Sequence, residues 1–220
     1  MAACEPPMAG LDPLRLAVLA AAAWCLTALV FQTVRAYRFG SHELHSAAAG
    51  VSLKGIAYAF GPGMMPWGKE SAARHLPTYL TGIGYHGAVF AALGYLVTVM
   101  SHIALPAEWR IPLTVVFAAG AIGGIGLLAK RAVKPVLRSI SCPDDFAANV
   151  LVDLLLAAAI ASLWIPAADA VLLATATLLF LYIPLGKIRH CFFFFYSRIL
   201  FGIFFGRRGV LPPRPRESQP

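Results

Sequence analysis

Charged residues are scarce in this chain. Asp, Glu, Lys and Arg make up 13% of its 220 residues, apolar residues make up 59%, and the mean hydropathy is +0.73. Soluble domains carry about 25% charged residues. The composition therefore excludes an ordinary soluble domain and indicates a membrane protein.

Cysteine motifs are also missing. No C-x-x-C occurs, and the scattered cysteines offer neither a disulfide framework nor a cluster-binding motif. Any iron–sulfur centre that works with this chain therefore belongs to another subunit. The four cysteines are Cys4, Cys25, Cys142 and Cys191.

The amino-terminal segment lacks the basic residues of a secretory signal. Residues 1–12 contain no Lys or Arg, whereas a cleaved signal peptide begins with a positively charged region. We therefore expect the first apolar stretch to be retained.

Five apolar stretches are long enough to cross a bilayer, which takes roughly 20 residues. Backbone polar groups in lipid need partners within the protein, so these stretches should be helices. We predict an all-α membrane protein with one five-transmembrane-helix bundle over 1–208, followed by a disordered Pro-rich tail over 209–220. The predicted spans are 16–34, 79–102, 111–128, 147–165 and 170–189.

The basic residues fall almost entirely on one side of these spans. Of the 18 Lys and Arg residues, only Arg15 and Arg110 lie on the other side. The positive-inside rule makes the basic side cytoplasmic. We therefore predict an external amino terminus, a cytoplasmic carboxyl terminus and a multi-pass location in the inner (cytoplasmic) membrane. The net charge of +8 follows this pattern and suits anionic lipid or a partner protein; nothing supports nucleic-acid binding.

Two histidines lie on different predicted spans. His86 lies about two turns inside span two and His190 ends span five, so both fall in the cytoplasmic half. Imidazoles are rare in a membrane span, and two of them can ligate a b-type haem from opposite sides. Lys187 and Arg189 would then neutralise the haem propionates, while Gly82, Gly84 and Gly87 would let the flat ring approach the helix. The alternative is that His86 bonds a neighbouring helix and that His190 is an interfacial residue.

The order of these features resembles the membrane cytochrome b (gamma) subunit of respiratory nitrate reductase. It is still more similar to relatives in sulfate-reducer-type transmembrane electron-transfer complexes. The motifs that carry the resemblance are GIGYH at 82–86 and YIPLGKIRH at 182–190. The resemblance covers the chain from Leu16 to about Arg208. It implies that His86 and His190 are haem ligands.

The chain departs from the nitrate reductase pattern at the second ligand pair. The positions where that subunit carries a further histidine on each helix fall here near Leu96 and Leu172. Leucine cannot ligate iron. The resemblance therefore implies one haem b, near the cytoplasmic side, and weighs against the nitrate enzyme itself.

The remaining polar residues have both functional and structural interpretations. Asp153, two turns into span four, is a candidate for proton transfer, for a bond to a haem propionate or for quinone binding. His102, at the outer end of span two, can bond a quinone or be an ordinary interfacial residue. His42, His45 and His75 are expected to be loop residues.

Several other patterns predict structure alone. Gly120 and Gly124 predict close packing of span three, and Cys142-Pro143-Asp144-Asp145 predicts the start of helix four. The aromatic and basic residues from Phe192 to Arg208 predict a segment at the inner membrane surface, which could also dock a partner.

We therefore expect a non-catalytic electron-transfer subunit of a quinone oxidoreductase complex. It would bind haem b and pass electrons between membrane quinone and a cytoplasmic iron–sulfur or other redox subunit, with the cofactor carrying the chemistry. The alternatives are a haem-free membrane anchor or a small transporter subunit.

Overall fold

The structure, a computed structural model, describes residues 12–40, 46–68 and 70–213. Within these ranges the chain is helical and contains no strand, as the predicted fold class requires. The helices are α1 (Pro13–Gly40), α2 (Ser52–Phe60), α3 (Glu70–Arg74), α4 (Leu76–Met100), α5 (Arg110–Val133), α6 (Pro135–Ser139), α7 (Pro143–Trp164), α8 (Asp169–Tyr182) and α9 (His190–Arg207).

Five helices in the described residues are long and apolar enough to cross a membrane, which is the pattern of a multi-pass membrane protein. Four of them contain or overlap predicted spans and confirm those predictions: α1, α4, α5 and α7. The fifth is Lys187–Arg207, which comprises α9 and the turn before it.

The prediction of a single span over 170–189 is wrong. The helix there, α8, has 14 residues and ends at Tyr182. Pro184 has no backbone N–H to continue the helix, and Gly186 is extended, with φ −106° and ψ −169°. His190 is therefore the first residue of the next helix and not the last residue of span five.

Although it is short, α8 runs back beside α7 and contacts it near both ends. At one end the Tyr182 hydroxyl donates to the Asp144 carbonyl at 3.1 Å and also contacts the Asp144 carboxylate. At the other end the Ser162 hydroxyl donates to Asp169. Asp144 and Ser162 are 18 residues apart, or about 27 Å of helix rise. The two contacts therefore place α8 antiparallel to α7, with one contact near each end of α7.

By contact, the chain divides into two compact units. The first contains residues 12–26 and 84–185, and its core includes the fully buried Phe117, Leu155, Leu156, Leu172 and Leu173. A Cβ at Gly120 would overlap Ala88 and lie 3.2 Å from Leu156 Cδ1. The predicted close packing at Gly120 and Gly124 is thus confirmed.

The start of α7 is as predicted. Pro143 occupies the first helical turn, and the Cys142 backbone N–H donates to Asp145 Oδ2 at 2.9 Å. Arg131 of α5 lies 3.3 Å from the other Asp145 oxygen and donates to Ser141 at 3.0 Å. This ion pair attaches the end of α5 to the start of α7.

In the second unit, described at 27–40, 46–68, 70–83 and 186–213, α2 packs along α9. Glycines form the contact where α2 and α9 cross. A Cβ at Gly55 would lie 2.6 Å from the Gly206 Cα, and one at Gly202 would lie 2.6 Å from the Ile56 nitrogen. The N–H groups of Ala49 and Gly50 both donate to the Arg207 carbonyl at 2.9 Å. The predicted surface segment after Phe192 is therefore a helix that α2 covers along one side.

We expect Gly202→Ala to destabilise the second unit by about 1–3 kcal/mol, because the new methyl group overlaps the α2 backbone. Gly94→Ala on α4 is the matched control, since a Cβ there meets no described atom within 4 Å. The control should be neutral or slightly stabilising. The melting temperatures of the two purified variants are compared by thermal unfolding in detergent. Equal melting temperatures would show that α2 and α9 are not in close contact.

Candidate functional site

His190 is oriented by the turn that precedes α9. Its Nδ1 lies 2.7 Å from the Lys187 carbonyl oxygen. A carbonyl oxygen can only accept, so Nδ1 carries the proton and the lone pair of the neutral ring is on Nε2. Histidines that ligate metals are commonly held in this way, with one ring N–H donated to a backbone carbonyl. The His190 side chain is exposed on the surface of the isolated chain.

His86 lies on an open stretch of α4. Its side chain is exposed, and the Tyr85 ring stands edge-on to it with centroids 6.3 Å apart. A Cβ at Gly82, Gly84 or Gly87 would meet no described atom within 4 Å, apart from the atoms of its own helix turn. The surface beside His86 therefore has room for a flat ring.

These features fit a haem. The described residues contain no group of three or more His, Cys, Asp or Glu side chains that could hold a metal ion, but a haem needs only two axial ligands from protein. His86 belongs to the first unit and His190 to the second, so their pairing stays a prediction. Lys187 and Arg189, exposed in the turn before His190, supply positive charge beside that imidazole.

The leucines at the positions of the second ligand pair fill the core of the first unit. Leu96 is 3% exposed and Leu172 is 0% exposed. Both side chains are therefore packing residues.

Asp153 belongs to a small polar cluster between α4, α5 and α7. The Asn149 side-chain nitrogen donates to Asp153 Oδ2 at 2.9 Å, and it also lies 3.1 Å from the Tyr85 hydroxyl and 3.4 Å from the Gly124 carbonyl. The second carboxyl oxygen, Oδ1, is buried and has no partner among the described residues. It faces Gly124, where a Cβ would overlap it. Burying an unpaired carboxyl oxygen in an apolar region is costly, which makes Asp153 a functional candidate.

His102 terminates α4 and contacts α1. It has φ +54°, and its N–H and that of Ile103 bond the carbonyls of Val99 and Thr98, which is the Schellman pattern of helix ends. Its Nε2 contacts the Arg15 guanidinium. Its proposed quinone role stays a prediction.

Of the other histidines, His75 is exposed between α3 and α4, while His42 and His45 lie outside the described residues.

The sequence did not predict an apolar groove in the second unit. Its volume is about 490 Å³, and it is lined by Phe60, Met64, Met65, Pro66, Tyr79, Leu80, Ile83 and Phe194.

Comparison with protein-family models, with curated proteins and with solved structures finds no match for this chain. The resemblance to cytochrome b subunits therefore depends on the two histidine motifs themselves.

The Asp153 cluster can be tested through Gly124. We expect Gly124→Ala to destabilise the first unit by about 1–3 kcal/mol, because the methyl group overlaps the carboxylate and the Tyr85 ring. Adding Asp153→Ala should restore part of that loss, since it removes the overlap with the carboxylate and the unpaired oxygen, while the overlap with the Tyr85 ring remains. Gly126→Ala on the same helix, where a Cβ meets open space, is the control in thermal unfolding. No recovery in the double variant would mean that Asp153 does not lie against Gly124.

Proposed function

We propose that this chain is a haem b-binding membrane subunit of a respiratory complex. It would exchange electrons between membrane quinone and a cytoplasmic iron–sulfur or other redox subunit. The observation that carries the proposal is the His190 hydrogen bond to the Lys187 carbonyl, because it puts the ring lone pair on Nε2. An imidazole with only an interfacial role does not need that tautomer.

His190 and His86 would hold the haem iron, and the haem supplies one-electron transfer when bound. The chain's own residues orient the His190 ligand and supply positive charge beside it. The Lys187 carbonyl holds the His190 ring in one orientation. The Lys187 and Arg189 side chains would compensate the negative charge of the haem propionates. The open glycines next to His86 would permit the haem ring to approach α4 closely. Leu96 and Leu172 support a single haem per chain, since both are packed in the core.

The first unit supports the proposed orientation. Arg131, paired with Asp145, lies at the end of α5 that also carries Lys130, and Lys134 and Arg138 follow it. Arg15 contacts His102, which lies at the end of α4 that we propose is external. By the positive-inside rule the Arg131 end is cytoplasmic in an inner membrane. Because α8 returns along α7, the carboxyl terminus is cytoplasmic only if α9 lies along the surface.

Reporter fusions test this orientation in two steps. A reporter at Ser141 should be active only as a cytoplasmic fusion, and one at Pro106 only as an external fusion. A fusion after Pro220 should behave like the Ser141 fusion. If the Pro220 fusion is external while the first two behave as expected, α9 crosses the membrane. If the first two are reversed, the whole orientation is wrong.

Histidine variants test the haem. His86→Ala and His190→Ala should each abolish the low-spin bis-imidazole absorption spectrum, because each removes one axial ligand. His75 is an exposed histidine of the same chain and serves as the control. His75→Ala should leave the spectrum unchanged and retain about one haem per chain. Imidazole added to His190→Ala should restore part of the low-spin signal by occupying the vacated position. A wild-type protein that purifies without haem would instead be a membrane anchor.

A further inference from the structure

The groove in the second unit is built from the end of α2, the two short turns after it, the start of α4 and the start of α9. Phe60 ends α2, and Met64, Met65 and Pro66 lie in the two short turns that follow. Tyr79, Leu80 and Ile83 come from the first two turns of α4. Phe194, in the second turn of α9, completes the lining.

Its walls are held in place by ring contacts and one hydrogen bond. The Phe60 ring stacks on Phe195 at 6.1 Å between centroids and meets Phe194 edge-on at 6.2 Å. The Tyr79 hydroxyl donates to the Met64 carbonyl at 2.6 Å, which ties the turn to α4. The groove is therefore a formed feature of the fold.

One side of the groove is apolar and open. Leu80 is 54% exposed, Ile83 is 53% exposed and Met65 is 40% exposed. Leu80 and Ile83 lie on α4, which is long and apolar enough to cross a membrane. An opening of this composition on such a helix faces lipid more favourably than water. A ligand would therefore arrive from the membrane.

The lining selects the chemistry of that ligand. The volume of about 490 Å³ is typical of sites for small molecules. Three aromatic rings and two methionines favour a flat, weakly polar ring. The Tyr79 hydroxyl is the single polar side-chain group among the lining residues, and its hydrogen is already donated to Met64. Its oxygen can only accept, which suits a ligand hydroxyl and offers nothing to a ligand carbonyl.

We propose that this groove binds the head group of a membrane quinol, with one quinol hydroxyl donating to Tyr79 and the isoprenoid tail leaving past Leu80 and Ile83. The proposal rests on the proposed function and names its quinol site. Phe194 follows His190 by four residues and so lies on the same face of α9. The ligand would thus occupy the side of α9 that carries the imidazole.

The other two quinone candidates lack such an opening. Asp153 Oδ1 is enclosed against Gly124, and His102 Nε2 is engaged by Arg15. Either residue can still serve proton transfer, but neither lines the groove.

Binding of a decyl-substituted benzoquinol and of its oxidised form to the purified full chain tests the proposal by calorimetric titration. Ile83→Trp fills the groove and should weaken quinol binding by more than about tenfold. Leu154→Trp on α7, where the leucine is also 53% exposed, is the matched control and should bind normally. Tyr79→Phe should weaken quinol binding about three- to tenfold, the effect of one hydrogen bond, and leave the oxidised form unchanged.

Several outcomes would overturn the proposal. Normal quinol binding in both Ile83→Trp and a second filling variant, Leu80→Trp, would place the quinol elsewhere. Equal loss of both redox forms in Tyr79→Phe would show that Tyr79 acts only by supporting the turn. Displacement of the quinol by a long-chain alkane, with no effect of Tyr79→Phe, would make the groove a site for lipid acyl chains. The absorption spectrum of the same wild-type sample separates the two proposals, because quinol binding without haem contradicts the proposed function alone.

Discussion

The missing backbone N–H of Pro184 determines the position of His190. It ends α8 at Tyr182, just where the Tyr182 hydroxyl reaches the start of α7. Gly186 then takes an extended conformation, and the turn Lys187–Arg189 starts a new helix at His190. The imidazole is thus held at a helix start, where the Lys187 carbonyl is available to its Nδ1. The same carbonyl also accepts the His190 backbone N–H, so both groups that it accepts come from one residue.

Two polar clusters of the first unit lie at different levels of α7. Asn149 and Asp153 meet Tyr85, while Tyr95 meets Ser162, which bonds Asp169. On α7, Asp153 and Ser162 are nine residues apart, or about 13 Å of rise. Between them lie the fully buried Leu155, Leu156 and Ala159. Within the described residues the two clusters are therefore separated by apolar packing.

The parts of the structure that were predictable depend on local signals. A run of some 20 apolar residues is a strong signal, and it located α1, α4, α5 and α7. The same signal misplaced the end of α8, because apolar residues continue past Pro184 to Leu185 while the helical backbone does not. The helix α2 has only nine residues, and its partner Gly202 is far away in sequence, so its packing was not predictable from composition. The spacing of Gly202 and Gly206, identical to that of Gly120 and Gly124, was the signal that could have revealed it. The groove depends on this packing and was hidden for the same reason.

The placement of α9 depends on the cost of its charges. Its length and composition would allow it to cross a membrane, but Arg198 lies at its middle. The Arg198 guanidinium stands over the rings of Phe194 and Phe201, at 5.6 and 6.0 Å from their centroids. Beside it, α2 carries the exposed Lys54 and is too short to span. If α9 crossed, both cations would have to enter the hydrocarbon, each at several kcal/mol. At the membrane surface the aromatic rings can enter the lipid while Arg198 and Lys54 stay hydrated. The same placement agrees with our proposal that His190 lies near the cytoplasmic side.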